Sequence, residues 1–351
     1  MPTITGVSSV DELRDPERHG PLQGDRASTG RLGDRLFSGT ARGASLLIIA
    51  IVTLVGVFLL SQAIPALAED KVNFLTSTQW NVDATPLQFG IANLLWVTVL
   101  SSAIAMLIAV PLGIGVALFI TQYAPRWLSR PAASMVDLLA AVPSIVYGLW
   151  GLQVLGTHMD GIQAFLIKIF GWIPLFKDAG VGAASTILTV GVVLSIMVLP
   201  IVTALSREVF AQTPATNMEA ALALGATRWE MIRTAVIPYC RAGIVGGAML
   251  GLGRAIGETI AVTIVIGNAP QLGSHLFGQG YSLAAVIANE FGEAQGLHRS
   301  ALFAAGLVLF VLTLAVNGIA RVLVSRASQG GKTTPAAAAG SQPIAGAVAG
   351  A

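Results

Sequence analysis

Charge is scarce in this chain. Asp, Glu, Lys and Arg make up 11% of its 351 residues, against 54% hydrophobic residues and a mean hydropathy of +0.75. Soluble domains carry about 25% charged residues, so an ordinary water-exposed surface is excluded and a lipid bilayer is the expected solvent. Cysteine is nearly absent, and the single Cys240 excludes an internal disulfide framework. Histidine is sparse too: His19, His158, His275 and His298 are scattered without metal-ligand spacing, so no metal site is expected. A phosphate-cradling loop is missing. Gly331, Lys332 and Thr333 end like one, but Arg326 stands where its first glycine belongs. Residues 251–257 are off-spacing for a dinucleotide fingerprint and lie inside an apolar run. No nucleophile–base constellation falls within the apolar runs, so no catalytic residues are expected and an intramembrane enzyme is the least favoured reading. No nucleic-acid partner is expected either.

What the chain does have is long apolar runs. Crossing ~30 Å of hydrocarbon takes about 20 residues, and six runs qualify, at 44–64, 93–120, 133–156, 182–205, 243–268 and 300–324. The expectation is an all-α polytopic membrane protein of about six transmembrane helices. The second run is over-long and carries Pro111, which predicts a tilt or kink. Residues 162–176 are apolar at helical spacing but short, and carry Lys168, Gly171 and Pro174, which suits a helix on the membrane surface. Residues 1–42 and 327–351 lack apolar periodicity and are expected to be disordered appendages of a permease domain at 43–326. Ala66, Leu67 and Ala68 imitate a signal-peptidase site, but the run before them is too long for a signal sequence and is expected to stay as an anchor.

Six spans place both termini on one side. Fifteen Arg and Lys fall on that side, including Arg35, Arg42, Arg126, Arg130, Arg228 and Arg326, against Lys71, Lys168, Lys177 and Arg299 on the other. Basic loops face the cytoplasm, so both termini and the loop at 206–240 are expected there, in a multi-pass protein of the cytoplasmic membrane.

That loop is polar and reads as two short helices. Thr216 or Asn217 can cap the first, Glu219 then lies in its first turn, and Gly225 suits a left-handed stop. Thr227 to Glu230 is a Thr-x-x-Glu capping box that opens the second, and Pro238 marks a break before the fifth span. These residues resemble the Glu-Ala-Ala motif of ATP-binding-cassette importer permeases. Glu219, Ala220, Ala221, Gly225 and Pro238 match at the family's spacing, while Ala235 and Ile237 stand where the pattern has Ile and Leu. The resemblance implies a type I importer permease architecture and a coupling helix at 219–225 that docks on an ATPase. It implies a second homologous permease, two ATPase subunits that carry ATP and Mg, and an extracytoplasmic binding protein. This chain itself would bind no cofactor.

Arg254 and Glu258 are the one pair of opposite charges deep in an apolar run. A charge near mid-bilayer costs about 2.5 kcal/mol or more, so each must face protein or water. At a spacing of four they are expected to share a helix face with Gly243, Gly247 and Gly251, a face that meets another helix or lines a passage. Two roles stay open. One is a buried ion pair that fixes packing; the other is a path in which Arg254 meets an anion and Glu258 orients the guanidinium. Residues 251–261, with 137–144 earlier, resemble the phosphate-specific branch of these permeases, its C-type member in particular, and the resemblance implies that Arg254 and Glu258 line the phosphate path. Sulfate or molybdate import is the alternative, and an ATP-independent anion carrier or channel a further one.

Asp137 is expected to reach water or pair with Arg130. Trp80, Trp127, Trp150 and Trp172 are expected as interfacial anchors. Tyr281, Glu290 and Glu293 could meet a delivery protein or be ordinary loop residues.

Overall fold

The computed structural model describes residues 30–70, 73–81, 88–177, 180, 182–267, 269 and 275–329. The expected disordered segments lie outside these as far as residue 29 and from residue 330, as does the lookalike loop ending at Thr333. The elements in chain order are α1 (Gly30–Glu69), β1 (Trp80–Asn81), β2 (Gln88–Phe89), α2 (Ala92–Leu118), α3 (Arg126–Ala140), α4 (Ser144–Trp150), α5 (Gly156–Phe170), α6 (Ile187–Ala211), α7 (Ala215–Ala223), α8 (Arg228–Met231), α9 (Ile237–Gly257), α10 (Ile260–Val265), α11 (Leu283–Glu290) and α12 (Gly296–Gln329).

Helix α1 begins at Gly30 and α12 runs to Gln329, so the stretches at 30–42 and 327–329, expected to be disordered, are helical. As far as Phe58 α1 forms a unit by itself, with Leu46, Leu47, Ile51 and Leu54 all exposed. Such a surface suits hydrocarbon, where a helix satisfies its own backbone. From Leu59 onward the chain is a second unit. There Ala63 and Ala66 belong to a core with Phe74, Trp80, Phe89 and Leu302. The short antiparallel pairing of β1 with β2, Trp80 opposite Phe89, sits in that core.

Helices α2 and α6 form the central pair, and α9 packs on α6 and α12. Of the long apolar helices α6 is the most enclosed: 72% of its most apolar stretch is buried, against 33% in α2. Close approach depends on a missing side chain, since a Cβ built on Gly191 would lie 2.7 Å from Ile104 Cγ2. Hydroxyls caught in this interface turn back on their own helix. Thr98 Oγ1 donates to the Leu94 carbonyl at 2.7 Å and Ser102 Oγ to the Thr98 carbonyl at 2.8 Å. Thr98 Oγ1 also accepts from the Leu283 N–H at 3.0 Å, tying α2 to the start of α11.

Two of the six expected spans are interrupted. Five helices are long and apolar enough to cross a membrane, and a sixth span exists only if a bent pair, Arg126–Ala140 with Ser144–Phe170, counts as one. These two segments meet at 90°, so the run at 133–156 is not a single straight helix. Pro143 is the cause: it has no N–H to give, holds φ −59 and ψ 139, and pushes its predecessor out of helical geometry. Beyond it the chain stays helical through a π-turn at Gly151–Leu155 as far as Phe170. The helix expected separately from residue 162 is therefore the end of this longer one.

The run at 243–268 breaks as well. α9 stops at Gly257, Glu258 is extended at φ −73 and ψ 125, and α10 restarts at Ile260. The segments that follow the two breaks, α4 and α10, lie against each other, and a Cβ on Gly148 would come 3.0 Å from Ala261 Cα. Pro111, by contrast, is accommodated within α2, which runs on through a π-turn to Tyr123.

Replacing Gly191 with Leu drives a side chain into Ile104 and is expected to cost about 1–3 kcal/mol, as overpacked cores do. Thermal unfolding of the detergent-solubilised protein should shift downward, while Gly161→Leu, whose Cβ meets nothing within 4 Å, should leave it unchanged.

Candidate functional site

The polar insert between α6 and α9 folds as two capped helices, with its start displaced from expectation. α7 begins at Ala215 behind Pro214, with no side-chain cap, so neither Thr216 nor Asn217 caps it and Glu219 lies beyond the first turn. Pro214 supplies a preset φ of −59 and its carbonyl accepts from the Asn217 N–H at 3.1 Å, which starts the helix early. The stop is as expected. Gly225 has φ +85, its N–H donates to Leu222 O at 3.0 Å, and the Ala226 N–H reaches back to Ala221 O at 3.2 Å. This is a Schellman motif. The capping box also forms: Glu230 Oε2 accepts from the Thr227 N–H at 2.7 Å, and Thr227 Oγ1 from the Glu230 N–H at 3.3 Å.

Met218 and Ala221, one turn apart, hold α7 to a core that includes Phe210, Met231, Ile232 and Cys240. Glu219 and Ala220 face outward, as does Leu222, while Leu224 is 90% exposed and Trp229 55%. The polar insert thus carries exposed apolar side chains of its own. Pro238 does not break the chain here. A π-turn at Ile232–Val236 widens the helix just before it, and the segment Arg228–Gly257 continues as one element of 30 residues.

The same end of the bundle holds the loop after α2. Arg126, Arg130, Arg207 and Met218 line one cavity of about 900 Å³. Asp137 pairs there with Arg207 on α6, at 3.1 Å, and not with Arg130. The two basic loops and the insert therefore share one end.

Gly243, Gly247 and Gly251 do meet another helix. Cβ atoms built on them would lie 2.5 Å from Val209, 3.2 Å from Leu205 and 2.7 Å from Val198, all on α6. Arg254, near the end of α9, emerges at the edge of this contact into a cleft of about 620 Å³ between α6, α9 and α12. Glu258 lines the same cleft, but it is not on the Arg254 helix face, because the helix has already ended. Among the described residues the ion pairs are Arg207–Asp137 and His298–Glu290, so Arg254 and Glu258 are not paired. Glu258 Oε1 instead accepts from the Ala261 N–H at 3.3 Å and caps α10. Arg254 is left exposed, a permanent cation at the end of an apolar helix.

At the opposite end Tyr281 and Glu290 are internal. Glu290 Oε2 accepts from Trp80 Nε1 at 3.0 Å and lies 2.9 Å from His298 Nε2. Burial pushes the Tyr281 phenol up to about 12. Trp80 is thus a core residue and no interfacial anchor, whereas Trp127 and Trp172 are 76% and 80% exposed. No group of three or more potential metal ligands occurs among the described residues.

Residues 109–329 match a family described as binding-protein-dependent transport system inner membrane component. The chain is 50% identical over 298 residues to a phosphate transport system permease protein, PstC 2, of Mycobacterium bovis, a match covering 84% of this chain and 92% of that one. It is 48% identical to the PstC of Mycobacterium leprae, over 83% and 92% of the two chains, and 44% identical to that of Mesorhizobium japonicum, over 84% and 91%.

The left-handed Gly225 makes the insert sensitive to a branched residue. Gly225→Val is expected to cost about 1–2 kcal/mol, read as roughly five- to thirtyfold faster amide exchange in α7 and α8 with exchange in α6 unchanged.

Proposed function

The chain belongs to the binding-protein-dependent transport system inner membrane components, and from that membership we propose how it works as the permease subunit of an ATP-driven phosphate importer. It is a multi-pass protein of the inner membrane and a transport subunit, not an enzyme; a separate ATPase hydrolyses ATP. It works with ATPase and binding-protein partners. In our reading the assembly contains a second, homologous permease and two ATPase subunits, which hold the ATP and Mg, and the binding protein delivers phosphate from outside. Both termini face the cytoplasm, on the side of the basic loops and α7.

The observation that carries the mechanism is Arg254, a cation without an ion-pair partner among the described residues, opening on a cleft within an apolar bundle. A fixed guanidinium offers a planar fork of donors to a tetrahedral oxyanion. Glu258, held by α10, places negative charge beside it and shortens the anion's stay, which favours passage over storage. Coupling starts at 219–225, where Glu219, Ala220, Ala221 and Gly225 form the docking segment for the ATPase. Movement there passes through the capping box into Arg228–Gly257, a single helix about 45 Å long at 1.5 Å per residue. It ends three residues past Arg254, so tilting it reorients that residue while α10 stays in place.

The test is labelled phosphate uptake by cells lacking their own copy, complemented with wild type or Arg254→Gln, with assembled complex quantified in the same membranes. Normal assembly with uptake reduced about ten- to a hundredfold is expected, the scale of a lost charged hydrogen bond. Loss of assembly would instead make Arg254 a structural residue, and unchanged uptake would remove it from the path.

A further inference from the structure

Between Ser300 and Arg321 helix α12 is apolar except at two side chains, Thr313 and Asn317, spaced four residues apart. That spacing places them one above the other on one face. Both line the cleft that holds Arg254 and Glu258. Asn317 comes close to the arginine's own backbone, because the residue before Arg254 is Gly253, and a Cβ built there would lie 3.9 Å from Asn317 Oδ1. A polar side chain in a membrane helix is expensive unless it is matched. Thr313 is matched in part, its Oγ1 donating to the Phe310 carbonyl at 2.8 Å. Asn317 has no hydrogen-bond partner among the described residues, and it is exposed to the cleft.

We infer that Asn317 is a substrate-contacting residue of the anion path, acting from α12 across from Arg254, with Thr313 supplying a second neutral contact. The inference rests on the reading of Arg254 given above and adds what that reading lacks. Arg254 only donates, and Glu258 as a carboxylate only accepts. An amide does both. Its NH2 donates to an anion oxygen, and its Oδ1 accepts from an anion's hydroxyl. Thr313, whose proton is already given to Phe310, turns lone pairs toward the cleft. The set therefore suits a tetrahedral oxyanion that still carries a proton, as inorganic phosphate does near neutral pH and sulfate does not. Being uncharged, Asn317 can also make and break these contacts without holding the anion in place.

The experiment is labelled phosphate uptake in cells lacking their own copy, expressed per assembled complex, for wild type, Arg254→Gln, Asn317→Leu, Asn317→Asp and Asn317→Gln. Leu keeps bulk without polarity, Asp keeps shape without the donor, and Gln keeps the amide. We expect about a tenfold or greater loss for Leu and Asp and retention within about threefold for Gln, the scale of a hydrogen bond to a charged group. A packing role predicts the reverse order, with Leu tolerated at least as well as Gln, and would overturn the inference. So would wild-type uptake per complex in Asn317→Leu. If Arg254→Gln loses uptake while Asn317→Leu keeps it, this inference alone falls; if Arg254→Gln transports normally, the reading beneath it falls first.

Discussion

Inside hydrocarbon every backbone N–H and C=O must find a partner within the protein, and a helix that stops there leaves several of them open. This chain nevertheless interrupts helices twice within its apolar bundle, before Pro143 and after Gly257. The two interruptions support each other. α4 and α10, the segments that resume after them, pack in direct contact at Gly148 and Ala261, and the Glu258 carboxylate takes up one of the open amides at the start of α10. A charged side chain used as a helix cap is unusual at such a place, and it explains how an acid comes to line the same cleft as Arg254 without pairing with it.

The rest of the architecture follows from where those interruptions fall. α6 is enclosed by α2 and α9 and is the most buried of the long helices. α9 touches it through Gly243, Gly247 and Gly251, whose missing side chains let the two helices approach closely. At one end of that helix stands the capped insert with its exposed Leu224 and Trp229; at the other stands Arg254. The helix continues through the π-turn at Ile232–Val236 and past Pro238, so the two ends belong to one helical segment.

Much of this was legible in the residues. Gly225, Thr227 and Glu230 specify their turn and cap by chemistry that depends only on near neighbours, and they fold as read. The apolar runs located five long helices because hydropathy needs no tertiary information. The failures share a cause. Hydropathy cannot see a bend inside an apolar run, so 133–156 and 243–268 each count as one span by length, although Pro143 is a visible signal for the first. The second carries a weaker local mark, Gly257, a poor helix former, and the segment that resumes after it packs on α4. Helical spacing then placed Glu258 on a face that the helix never reaches. Asn317 and Thr313 carry no local signal because they lie in a different run from Arg254, and only the fold brings α12 to α9. Asp137 and Trp80 found partners, Arg207 and Glu290, 70 and 210 residues away, which no local rule could supply.

Cys240 lies at the foot of α9 with 1% of its surface exposed, its Sγ donating to the Val209 carbonyl at 3.3 Å and lying 3.2 Å from Thr213 Oγ1. It is the chain's one cysteine, so the folded protein presents no thiol to water. A cysteine introduced on the tip of α7, at Leu224 for instance, would be the sole accessible sulfhydryl. Spin labels, fluorophores or cross-linkers could then report on the motion of the long helix with the native sequence otherwise intact.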